Sequence, residues 1–148
     1  MKHIIMIMFL FTGLKTQAQQ YCCHEPGPAF DGNDITSYYD ENGIQKGHPD
    51  FSYSYVGMTL IFENEENRSK FIKEPDKYFP EYGAWCAIAM SLGSIIKPNY
   101  SYYILREDGR LLFFTIQGFV NGITLWKKDP KGNKVKADTF YLSILGNE

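Results

Sequence analysis

The stretch FSYSYVGMTLIFEN, Phe51 to Asn64, constrains the fold more than any other in the chain. Aromatic and small polar residues alternate up to Tyr55, break at Val56-Gly57-Met58, and resume as Thr59-Leu60-Ile61-Phe62. This predicts an antiparallel hairpin with Phe51, Tyr53 and Tyr55 on one face. The period then changes. In ENEENRSKFIKEPDKYF acidic residues crowd the start, where a helix dipole favours them, Phe71 and Ile72 can face a core, and Pro75 ends the run. A short helix is expected over Glu65 to Lys73, followed by a helical turn from Pro75 to Phe79 with proline near its first position.

Farther along, AWCAIAMSLG offers helix formers closed by Gly93, which places Cys86 on the first turn of a helix. NYSYYILRE and RLLFFTI flank Asp108-Gly109 and predict a second hairpin. GFVNGITLWKKDP reads as a helix ended near Pro130, and KADTFYLSIL as a final amphipathic one. Hairpins and helices in this order define an α+β fold, a small domain of antiparallel β-hairpins with short helices and C-terminal helices.

A chain of 148 residues, 44% hydrophobic with 11 Tyr and 11 Phe, can bury one core and is short for two. Its net charge of −2 offers no basic face for nucleic-acid phosphates and no polybasic anchor, so no nucleic-acid partner is expected. The first residues read differently. MKHIIMIMFLFTGLKTQAQQ has a basic start at Lys2, an apolar run from Ile4 to Leu14 and a small residue, Ala18, in a polar flank, as a secretory signal peptide does. Residues 1–18 are expected to be that signal, 19–29 an extended N-terminal arm rich in Pro and Gly, and 30–148 the domain. The apolar run is short for a hydrocarbon core of about 30 Å, so no membrane span is expected after cleavage. The protein is expected to be exported, periplasmic or secreted, where disulfides can persist.

Several motifs in order resemble the exported branch of the YHS domain proteins. They are Asp34 with the tyrosine pair Tyr38 and Tyr39, the Lys46-Gly47 step, the hairpin ending in Phe62, and Glu66-Asn67-Arg68 with Phe71. Then come Pro75-Asp76-Lys77-Tyr78 and Tyr82-Gly83-Ala84-Trp85-Cys86-Ala87. Leu125 to Pro130 and Lys136-Ala137-Asp138 are similar to the C-terminal helices of the same branch. The resemblance implies a hairpin-and-helix fold linked to heavy-metal handling and implies no reaction. Metal-binding members carry cysteines near the start of the domain and after the second strand of the hairpin. The corresponding stretches here, DGNDITSYY and IFENEENR, contain none.

The donors that remain are Cys22, Cys23, His24 and Cys86. Folding the arm onto Cys86 would assemble three sulfurs and one imidazole, a set suited to Cu(I) or Zn(II). A disulfide from Cys22 or Cys23 to Cys86 is the alternative, closing a loop worth roughly 4 kcal/mol; a vicinal Cys22–Cys23 bond would be strained. Cys86 as a nucleophile would need a positioned base, and His24 and His48 are the candidates outside the signal. Packing is its default role. Glu63, Glu65 and Glu66 read as a solvated helix start, His48 as a turn residue, and Tyr53, Tyr55, Tyr102 and Tyr103 as either a core stripe or a ligand groove.

The expectation from residues and resemblance together is an exported, non-enzymatic protein in metal-related binding or an accessory role, with a metal ion or an envelope protein as partner. Its rivals are a metal-free interaction module for a protein or small molecule, and a thiol enzyme or redox protein built on Cys86.

Overall fold

The computed structural model describes residues 22–146. The expected signal, its cleavage after Ala18 and residues 19–21 of the arm lie outside the described residues. Within them the chain is α+β, with three two-stranded antiparallel sheets and five α-helices. β1 (His48–Tyr55) pairs with β2 (Met58–Phe62), Tyr55 opposite Met58 and Tyr53 opposite Leu60. Val56 and Gly57 turn the chain with φ of 43° and 80°, the left-handed pair whose twist matches a tight hairpin. Phe51, Tyr53 and Tyr55 are half-buried, and Ser52 and Ser54 between them are exposed, as the alternation predicts.

α1 (Glu65–Lys73) starts where the Asn64 side chain accepts the Asn67 amide at 2.9 Å, with Glu65 and Glu66 in its first turn. Phe71 is its inward apolar residue. Ile72, also expected to face the core, is 43% exposed, because successive helical residues diverge by about 100° and only one can meet β2. Phe62 and Phe71 are both 0% exposed, their rings 5.5 Å apart. α2 (Pro75–Tyr78) is a single turn that Phe79 leaves in extended backbone. α3 (Ala87–Ser91) begins one residue later than expected, so Cys86 is its N-cap and lies outside the first turn.

β3 (Asn99–Leu105) and β4 (Leu111–Phe114) form the second hairpin. After it the structure departs from the sequence reading. GFVN does not open a helix; β5 (Ile116–Gln117) and β6 (Val120–Asn121) form a small hairpin around Gly118, a poor helix former at φ 57°. α4 (Gly122–Lys128) starts after Asn121, whose side chain accepts the Thr124 amide at 3.0 Å. Pro130 ends α4 and also opens α5 (Pro130–Gly146), because proline suits a first helical position. α5 starts earlier than expected and carries the expected amphipathic face in its C-terminal half, where Ala137, Phe140, Tyr141 and Ile144 turn toward the core. Ala137 alone among its described side chains is fully buried, while Val135 and Leu142 are each 65% exposed.

β4 organises the interior. Leu111, Leu112, Phe113 and Phe114 are each 0% exposed. Alternation sends Leu111 and Phe113 into one hydrophobic cluster with Phe30, Tyr38, Phe62 and Phe71, and Leu112 and Phe114 into another with Met90, Trp126 and Ala137. A strand buried on both faces reads as a continuous apolar run, which LLFF is.

The segment expected as an arm is anchored at both ends, with residues 24–28 between them exposed. Cys22, Cys23 and Ala29 are 5%, 2% and 7% exposed, the Cys23 amide donates to the Gly83 carbonyl at 2.8 Å, and Pro28 bridges Thr59. The physical reason is that a thiol behaves as a small hydrophobe, so Cys22 and Cys23 are drawn inward while Pro26, Gly27 and Pro28 stay at the surface. Beside it, Asp34 is 0% exposed and ties three segments together. It accepts from the Thr36 amide (2.8 Å) and hydroxyl (2.7 Å), the Glu63 amide (2.8 Å) and the Asn67 side-chain amide (2.8 Å). Among the described residues no helix is long and apolar enough to cross a membrane.

Candidate functional site

The backbone between α2 and α3 is bent into a conformation that side chains ordinarily avoid. Tyr82, Gly83 and Ala84 stand in succession at φ of 57°, 60° and 67°. Left-handed non-glycine residues cost on the order of 1–3 kcal/mol each and persist where the surroundings hold them. Here Cys23 holds Gly83 from below, the Trp85 amide donates to the Tyr82 carbonyl at 3.1 Å, and the Tyr82 hydroxyl donates to Asp138 Oδ1 at 2.9 Å. Glu81, at the start of the bend, meets Arg106 at 2.5 Å and Arg110 at 3.6 Å.

These contacts frame a cleft of about 410 Å³ between the bend, the turn of β1–β2 and α5, walled by Tyr55, Phe79, Tyr82 and Tyr141. Tyr82 and Tyr141 stand edge to face, ring centroids 5.7 Å apart. Glu81, Asp138 and Asp76 supply carboxylates and Arg110 a guanidinium, which also donates to the Asp76 carbonyl. Burial pushes the Tyr141 phenol up to about 12. Burial first, and then the Asp138 carboxylate, pushes Tyr82 up further. Both phenols are therefore neutral near pH 7, and the carboxylates of Glu81 and Asp138 are offset by Arg106, Arg110 and Lys134.

The cysteines fall on different sides of β4. Cys22 lines the cleft and Cys23 lies beside it in the first cluster, its Sγ accepting the Tyr100 hydroxyl at 3.5 Å. His24 is exposed. Cys86 is 1% exposed in the second cluster, its amide donating to the Ile96 carbonyl at 3.0 Å. All three are buried thiols. Cys22 and Cys23 are thus together and Cys86 is apart, and among the described residues no group of three or more His, Cys, Asp or Glu is placed to hold a metal ion. The four donors do not fit a Cu(I) or Zn(II) centre in this arrangement. The physical reason is that the arm packs under Gly83, on the far side of β4 from Cys86. Burial, and then its neighbour Cys23, pushes the Cys22 thiol up to about 11. Burial pushes Cys23 up as well, the direction opposite to an activated nucleophile.

The remaining candidates divide plainly. Glu65 pairs with Arg68 at 2.9 Å and Glu66 with Lys70 at 2.9 Å on the outer face of α1, and exposed His48 meets Asp50 at 3.4 Å. Tyr53 packs on Phe71, and Tyr103 packs edge to face on Tyr38 at 4.9 Å. Tyr55 packs on Phe71 at 5.2 Å and also lines the cleft. Sequence reasoning missed Glu81, Arg110, Asp138 and Tyr141. No local signal marks them, since Tyr82 and Asp138 are 56 positions apart. Compared with known protein families, with curated proteins and with solved structures, the chain matches none.

Proposed function

We propose that this chain is an exported, YHS-like binding module without enzymatic activity, and that its cleft receives a small organic cation. The observation that carries the reading is the pairing of aromatic walls with carboxylates in one concave site, Tyr55, Tyr82 and Tyr141 beside Glu81 and Asp138. An ammonium group gains there from the rings of Tyr55 and Tyr141, by about 1–2 kcal/mol where water is excluded, and from the Asp76 carboxylate, since Glu81 and Asp138 are engaged by Arg106 and Lys134. The strained Tyr82-Gly83-Ala84 bend supports it, because such strain collects at ligand clamps. The YHS-like reading rests on the order of sequence motifs from Asp34 to Ala87. The metal-related role is the weaker reading, since it needs Cys86 beside the arm.

The test uses the exported product, whose intact mass is expected to begin at Gln19. Phenethylammonium is titrated into the purified protein and amide shifts are followed by NMR, with phenethyl alcohol as the neutral control. Saturable shifts at Tyr82 and Tyr141, weakened about tenfold by Tyr141→Ala or Asp138→Asn, are expected. Equal binding of the alcohol, or no shift at the cleft, sinks the cation reading. Tight one-to-one Cu(I) or Zn(II) uptake under reducing conditions, lost in Cys86→Ser, would restore the metal role.

A further inference from the structure

A second and larger cleft, of about 700 Å³, opens between the tip of the β3–β4 hairpin and the joint of α4 with α5. Two ion pairs separate it from the first. Arg106 and Lys134 line this cleft, and their partners Glu81 and Asp138, each 2.5 Å away, line the other. Each pair is close to neutral as a unit, with its cationic end toward this cleft and its anionic end toward the other. Lys127, Lys128 and Lys131 extend the positive rim and have no carboxylate partner among the described residues. Of the acids on this rim, Asp108 shares Arg106 with Glu81 and Asp129 accepts the Gly132 amide at 2.9 Å while keeping its charge, so Asp129 and Glu107 offset part of the lysine charge. Eight of its twelve lining residues are charged; Ile104 and Leu105 supply apolar surface, and Leu105 is 39% exposed at a place where a strand residue could be covered.

We propose that this cleft is a binding site for a small amphipathic carboxylate, a free acid with a hydrocarbon body. The body would cover Leu105 and Ile104, and the carboxylate would meet the ammonium groups at the rim. The volume lies in the range of clefts that take small ligands. The charge sets the class: a neutral ligand would leave the lysines unused, and an organic cation is favoured by the other cleft. The site stands on its own observations and does not depend on the first cleft being occupied.

Decanoate is the probe, titrated below its micelle concentration and followed by amide shifts and calorimetry, with decanol as the uncharged body and acetate as the bare head group. Saturable shifts at Ile104, Leu105 and Lys127 are expected, with decanol and acetate each at least about tenfold weaker. The combined change Lys127→Glu, Lys128→Glu and Lys131→Glu is expected to weaken decanoate about tenfold at unchanged melting temperature, since the three lysines are exposed and exposed substitutions away from buried features change stability little. Should that variant melt early, Leu105→Asp takes its place as a single exposed change, with loss of decanoate binding expected. Shifts confined to the first cleft, equal affinity for decanol, or unchanged affinity in a folded charge-reversed variant would each overturn the assignment.

Discussion

At the scale of single residues, Asp34 does more than its place in a 3-10 turn suggests. Its two oxygens collect four donors from the 34–39 turn, from the end of β2 and from α1, at a position with no exposure. Removing a shared buried acceptor leaves each donor without water or partner, and one such group costs roughly 1–3 kcal/mol. Asp34→Ala is accordingly expected to destabilise the fold by about 3 kcal/mol or more, read from the urea midpoint. Asp34→Asn keeps one oxygen and turns a donor toward donors, so it is expected to be no better than halfway to wild type. A midpoint unchanged in Asp34→Ala would mean that the three segments are held together by packing alone.

At the scale of elements, the approach of the chain to β2 is set by one glycine. A Cβ on Gly47 would stand 2.4 Å from the Ile61 carbonyl oxygen, closer than side-chain carbons come to backbone oxygens. The Gly47 amide donates to the Gly32 carbonyl at 2.9 Å, which pins the segment from its other side and leaves it no room to retreat. Gly47→Ala is therefore expected to cost about 1–3 kcal/mol by forced displacement of the β1–β2 edge. The check is a lowered melting temperature together with amide shifts centred on Ile61 and Phe62. The Lys46-Gly47 step was legible as a motif, while its cause, the carbonyl of Ile61, was not.

Across the whole molecule, burial of ionisable groups beside the first core makes stability depend on alkaline pH. Cys22 is moved from an ordinary value of 9.0 up to about 11, mainly by burial and secondarily by Cys23. Cys23 moves the same way by burial, and the Tyr100 phenol is pushed up by burial and then by Cys23. A raised folded-state value means that the unfolded chain releases its protons first. Stability is complete below pH 9, where both states keep the protons, and is lost as pH climbs toward 11, where the native Cys22 thiol also ionises. The urea midpoint is expected to be flat from neutral pH to about 9 and to fall beyond it, with a shallower fall in a Cys22→Ala, Cys23→Ala double variant. A midpoint that rises above pH 9 would contradict the burial of these thiols. Slow alkylation of Cys22 near neutral pH follows from the same shift and weighs against a thiol enzyme.

The sequence by itself determined the elements whose cause is local. Alternation in FSYSY and TLIF, an asparagine and two glutamates at a helix start, proline at a first position and the unbroken LLFF run each act over a few residues, and each led to the element observed. Local pattern failed at GFVN, where glycine and a β-branched residue favoured a hairpin, while the period of KADTFYLSIL did give the inward stripe of Ala137, Phe140, Tyr141 and Ile144. The site belongs almost wholly to tertiary structure. Cys22, Cys23 and Cys86 were visible as donors, but which face of β4 each would occupy depends on how the two hairpins stack. Tyr82 meets Asp138, and Arg106 meets Glu81, only because α5 and the β3–β4 hairpin close on the same bend. Hydrogen bonds and ion pairs between distant segments carry no periodic trace in the chain, so only the packed molecule could decide that opposite charges would face two separate clefts.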